Sequence, residues 1–96
     1  MKQVKIKYGK KALKFLSRAE KSVVLNIKES IKGLTKTPPH GDIKPLSGYK
    51  DGRKRLRYGS YRVIFRYDEN IGETANVIKV LLIMDIGSRG DIYKEG

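Results

Sequence analysis

The segment Leu56 to Tyr67, LRYGSYRVIFRY, constrains this chain more than any other, because it alternates apolar and basic residues on both sides of a Gly59-Ser60 pair. Alternation with period two marks a half-buried strand, and two such runs flanking a short turn read as a β-hairpin. Leu56 and Tyr58 then share a core-facing side with Tyr61, Val63, Phe65 and Tyr67, while Arg53, Arg55, Arg57, Arg62 and Arg66 project from the other side. A two-residue loop sets Tyr58 opposite Tyr61, Arg57 opposite Arg62 and Arg53 opposite Arg66. Like charges directly opposite each other destabilise a sheet. Such a face expects a polyanion, and the run Gly48 to Arg66 supplies seven Lys or Arg in nineteen residues, Lys50 and Lys54 among them.

The rest of the chain supplies what covers the hairpin. Gln3 to Tyr8 alternates Val4, Ile6 and Tyr8 with Lys5 and Lys7 and reads as a first strand. Lys10 to Ala19 and Ser22 to Leu34 carry apolar residues at helical spacing, and Gly33, Pro38 and Pro39 close the second of these helices. The stretch on to Gly48 lacks periodicity and reads as a loop anchored by Ile43 and Leu46. Asp68 to Glu73 is turn-like. Asn76 to Ile86, NVIKVLLIMDI, is nearly continuously apolar and reads as a central strand buried on both faces. The expected fold is α+β: one domain over residues 1–96, in the order β-α-α-β-β-β, with two helices packed on one side of a largely antiparallel sheet of about four strands.

Charge and composition narrow the partners. With 22 basic against 10 acidic residues and a formal net charge of +12, the chain is matched to RNA, DNA, anionic lipid or an acidic protein. It has no cysteine, so disulfides and thiolate metal sites are excluded, and a reducing cytoplasm suits it. No stretch has the length of a signal peptide's apolar region or of a membrane span, so the expectation is a soluble cytoplasmic protein with no membrane partner. His40 has no companion ligand and reads as solvent-exposed; no metal and no cofactor are expected. The lysines at 10, 11, 14, 21, 28 and 32 fall largely on polar helix faces.

The element order, the hairpin LRYGSYRVIFRYDE, the apolar last strand and the ending IGSRGDIY together resemble the RelE/ParE superfamily of bacterial toxins, from about residue 3 to residue 94. Within it the pattern looks most like the RelE-type mRNA interferases, which enter the ribosomal A site and cleave mRNA by attack of a ribose 2′-OH on the adjacent phosphate. The resemblance places the family's catalytic arginine of the YR pair on Arg62 and its two basic residues of the preceding strand on Arg53 and Arg55. Its arginine after the last strand falls on Arg89, and its terminal tyrosine on Tyr93. Lys50, Lys54, Arg57 and Arg66 are the accompanying candidates for RNA binding.

These residue types suit that chemistry. In-line attack at phosphorus builds negative charge on the equatorial oxygens, and planar, always-charged guanidiniums offering two parallel hydrogen bonds stabilise it. Arg62 and Arg89 are the candidates for that role, and Tyr93 for stacking on a splayed base so that the 2′-OH is oriented. The sequence departs from the family pattern where Ser88 stands in place of a histidine found in several relatives. No acidic residue lies between Arg53 and Tyr67, so general acid-base catalysis has no obvious owner. Lys54 would be a base if its cationic neighbours lowered its pKa, but its alternation with Arg53 and Arg55 points it to the other face.

Plainer readings stand beside these: a basic strand as a solvated sheet face, Arg89 holding Asp85 or Asp91, Tyr93 packed back on the core. The functional alternatives are a ParE-like inhibitor of DNA gyrase and a non-catalytic RNA- or ribosome-binding module. The resemblance also implies partners, namely the ribosome with its mRNA and a small acidic cognate antitoxin that buries the arginines beneath carboxylates.

Overall fold

The computed structural model describes residues 4–71 and 77–88. In chain order, Val4–Tyr8 forms β1, Lys10–Arg18 α1, Lys21–Gly33 α2, Asp42–Pro45 β2, Lys54–Tyr58 β3, Tyr61–Ile71 β4 and Val77–Ser88 β5. The strands make one five-stranded sheet in the order β1-β5-β4-β3-β2. The β1-β5 pair is parallel and the other three pairs are antiparallel, so the expected α+β class holds, with a mixed sheet.

The hairpin forms in the register its sequence dictates. Tyr58 pairs with Tyr61, Arg57 with Arg62, Leu56 with Val63 and Arg55 with Ile64. Gly59 enters the turn at φ 57°, a left-handed conformation glycine adopts without steric cost. That single register sends Leu56, Val63 and Phe65 to one face and Arg55, Arg57, Arg62 and Arg66 to the other. β5 extends the first set, with Ile86 beside Val63, Ile83 beside Phe65 and Leu81 beside Tyr67. A bulge opposite Ile64 and Phe65, where β5 carries Met84 as an extra residue, keeps Ile86 and Ile83 on the same face of β5.

The helices lie over the apolar face. Ala12 of α1 and Ile27 and Ile31 of α2 are fully buried, and with Leu34 they join Leu56, Val63, Phe65, Leu81, Ile83 and Ile86 in one core. Each fully buried Leu, Ile, Val or Phe contributes about 1.5–3 kcal/mol. Neither helix has a side-chain N-cap or an acidic residue in its first turn. With 9 and 13 residues they are too short to persist alone, so packing against the sheet holds them. One polar tie supplements it: the Tyr67 hydroxyl donates to the Leu34 carbonyl at 2.8 Å, pinning the end of α2. Replacing Tyr67 with Phe is expected to lower stability by about 1 kcal/mol in urea unfolding, leaving the fold unchanged.

Two sequence expectations are corrected. The stretch before Gly48 is not all loop: Asp42–Pro45 adds a fifth strand, with Asp42 opposite Arg57 and Ile43 opposite Leu56. Gly41 makes this possible. Its φ is 126°, and a Cβ there would come within 2.5 Å of Leu56 Cδ1, so only glycine brings β2 this close to the core. Asp68 to Glu73 is not a turn from its start either. Asp68 to Ile71 continue β4, because each finds a partner on β5, from Val80 to Val77. The last strand reads as expected in character. It lies between β1 and β4, with Leu81 and Ile83 buried on the helix side and Val80 buried on the other. Among the described residues no helix is long and apolar enough to cross a membrane.

Candidate nucleic-acid interface

The face that the helices leave open carries the arginines, and the backbone alone brings them together. Along β3 alternate residues stand about 7 Å apart, so Arg55 and Arg57 form a row that Arg53 extends just before the strand, and Arg62 and Arg66 of β4 run beside it. Arg57 and Arg62 are directly opposite one another. Arg55 and Arg62 are 6% and 3% exposed, which removes most of the water that would otherwise screen them. A buried cation is costly without a partner. Arg55 has one: its Nη1 donates to the Asp42 carbonyl at 3.2 Å and lies 3.6 Å from the Asp42 carboxylate. The strand that the sequence did not reveal therefore braces one of the candidate residues.

A second carboxylate organises the end of the row. Asp51 accepts hydrogen bonds from the Arg53 backbone N–H at 3.2 Å and from its Nε and Nη2 at 3.1 and 2.8 Å. It also accepts from Arg66 Nη1 at 3.1 Å, so it bridges β3 and β4 where Arg53 and Arg66 would repel. Arg66 Nη2 lies 3.4 Å from Asp68 as well. Above this pair, the Arg53 guanidinium stacks 4.0 Å from the ring centre of Tyr49. The hydrogen bonds from Arg53, aided by both guanidinium charges, hold the Asp51 carboxyl down to about 2. The same contact raises Arg53.

A depressed carboxyl stabilises the fold above its unfolded pKa and loses that contribution as pH falls through the folded value. Asp51→Asn is therefore expected to unfold more easily than the wild-type protein at neutral pH. The difference should shrink between about pH 4 and about pH 2, as thermal midpoints measured across that range will show.

Among the described residues, the Nε atoms of Arg57 and Arg66 are buried without a hydrogen-bond partner. Donors in that position are normally paired, and phosphate oxygens are acceptors of the right geometry. Ile64 and Asp85 lie opposite each other on the same face, between the arginines of β4 and the end of β5.

The other candidates fall elsewhere. Lys54 pairs with Phe65 on the helix-facing side, its Nζ 5.8 Å from the Tyr67 ring centre, and so does not join the arginine row. Lys50 is exposed in the loop before β3. Arg89 and Tyr93 lie outside the described residues. Asp51, Asp42 and Tyr49 were not singled out from the sequence. Asp51 was detectable, since Asp followed by Gly marks a turn in which the carboxylate accepts the backbone N–H two residues on, here that of Arg53. Asp42 was not, because its four-residue strand ends in proline and shows no apolar alternation of its own. Among the described residues no group of three His, Cys, Asp or Glu side chains converges to hold a metal ion.

The fold has solved counterparts. A chain of the RelB–RelE antitoxin–toxin complex from Methanococcus jannaschii superimposes with a TM-score of 0.62 at 20% identity, over 92% of this chain and 95% of that one. A chain of the RelBE2 toxin–antitoxin complex from Mycobacterium tuberculosis gives 0.62 at 20% identity, over 88% and 96%. No family model and no curated protein sequence matches the chain. The likeness is one of fold, and the solved neighbours are components of toxin–antitoxin complexes.

Proposed function

We propose that this chain is a RelE-type toxin of a toxin–antitoxin pair, acting as a ribosome-dependent endoribonuclease on mRNA. The observation that carries the reading is the arginine face itself. Arg55 and Arg62 are nearly buried and held by the sheet, and Arg57 stands directly opposite Arg62, so guanidiniums are concentrated on one face in the way an anionic ligand requires. The solved neighbours support it through their fold.

In this reading the scissile phosphate sits over β3 and β4. The ribose 2′-OH attacks phosphorus and gives up its proton, the bond to the 5′-oxygen breaks, and that oxygen leaves protonated as a 5′-hydroxyl. A 2′,3′-cyclic phosphate remains on the other fragment. Arg62 and Arg55, poorly hydrated and fixed by the sheet, stabilise the charge that grows on the equatorial oxygens. Arg57 holds a flanking phosphate, while Arg66, tied to Asp51 and Asp68, adds its charge to the end of the row. Arg89 and Tyr93 are assigned, by resemblance, to stabilising the same charge and to base stacking. The guanidiniums do not accept protons at neutral pH, so the chain contributes positioning and electrostatics.

An acidic antitoxin is the corresponding partner, and its carboxylates would meet the same guanidiniums. A second basic surface fits such a partner: a groove of about 540 Å³ on α1, lined by Lys11, Lys14, Phe15, Arg18 and Ala19. The test is induced expression in a bacterial host. Growth and protein synthesis are expected to stop within one generation and to recover when the neighbouring acidic reading frame is co-expressed. Undisturbed growth at high levels of folded protein overturns the proposal.

A further inference from the structure

At the head of β3 the structure builds a feature that phosphate binding does not require. Tyr49 is 48% exposed, although a large aromatic ring gains by burial. One face of that ring is covered by the Arg53 guanidinium at 4.0 Å. Arg53 in turn has little freedom, since Asp51 holds its backbone N–H, Nε and Nη2, and Asp51 is also tied to Arg66 across the sheet. The charge of Arg53 is thus already met within the protein, which leaves it poorly placed as a free phosphate ligand. What the chain Asp51, Arg53, Tyr49 does achieve is to fix an aromatic plane beside a row of arginines.

We propose that Tyr49 is a nucleobase platform: its uncovered face stacks on a base of single-stranded RNA whose neighbouring phosphates run along Arg55 and Arg57. The inference rests on the RNA-binding reading of the arginine face and assigns it a base-contacting residue. Stacking on an aromatic ring is tolerant of base identity because every base has a π-face. Prior immobilisation of the ring by Arg53 reduces the entropy lost on binding. The platform lies at the loop end of β3, so it meets a nucleotide to one side of the phosphates that Arg55, Arg57 and Arg62 grip. It therefore orders the strand without touching the reacting bond.

The test is fluorescence anisotropy with a short labelled oligoribonucleotide, and with a fully abasic ribose-phosphate strand of the same length, against the wild-type protein, Tyr49→Ala and Tyr49→Phe. Tyr49→Phe is expected to bind like wild type. Tyr49→Ala is expected to bind the oligoribonucleotide about 10-fold more weakly, the effect of losing one stacked base. On the abasic strand the three proteins should be equal. Equal affinity of Tyr49→Ala and wild type for the base-bearing strand overturns the platform and leaves RNA binding standing. So does an equal loss on both strands, which means that the ring acts only by steadying Arg53. If wild-type protein binds neither strand at low salt, the RNA-binding reading falls and the platform with it.

Discussion

Arg62→Ala is expected to reduce ribosome-dependent mRNA cleavage by about 100- to 1,000-fold, the range found when one preorganised donor to a developing oxyanion is removed. The fold should survive. Arg62 is 3% exposed, so its removal leaves unfilled space, but it also takes away a cation directly opposite Arg57, and the two effects oppose each other. Circular dichroism and the thermal midpoint should therefore stay close to wild type while activity is lost. Arg62→Lys keeps the charge and loses the planar pair of donors, and is expected to fall between the two. Full activity in a folded Arg62→Ala variant would remove the central residue from the site.

Phe65→Ala is expected to have the largest effect on stability, about 3–5 kcal/mol. Phe65 is fully buried, stands edge-on to Tyr67 with ring centres 5.6 Å apart, and follows the bulge that aligns β4 with β5. A domain of this size has about 5–15 kcal/mol to lose, so the variant should unfold at markedly lower denaturant or be largely unfolded at 37 °C. Its activity then falls because the platform under the arginines is gone, and circular dichroism separates this outcome from the Arg62 result. A Phe65→Ala variant with an unchanged denaturation midpoint would show that the core has been misplaced.

Much of the fold was legible because one physical signal dominated. The alternation from Leu56 to Tyr67 is long enough, and its two faces differ enough in polarity, that slipping a strand's register by one residue would turn its arginines into the apolar core under the helices and its apolar residues away from it. The apolar run ending at Ile86 was equally plain. β2 was not legible, because Asp42–Pro45 is four residues ending in proline, and it becomes a strand through its pairing with β3. Asp68 to Ile71 look like a turn by composition, yet stay extended because β5 offers partners. In both places tertiary pairing overrode local preference.

At the site, the arginine row followed from the hairpin, but its supports did not. Arg53 reads as one more cation in the sequence, whereas its contacts with Asp51 and Tyr49 give it a structural duty. Arg55 reads the same way, and it is the Asp42 carbonyl and carboxylate that fix it. Asp42 lies outside the basic run in sequence and still enters it in space.

The most direct measurement is primer extension on an mRNA translated by purified components, with the purified protein added. New 5′-hydroxyl ends are expected within the ribosome-covered region, and only on messages that carry ribosomes. A message that stays intact on loaded ribosomes in the presence of folded protein would contradict the account.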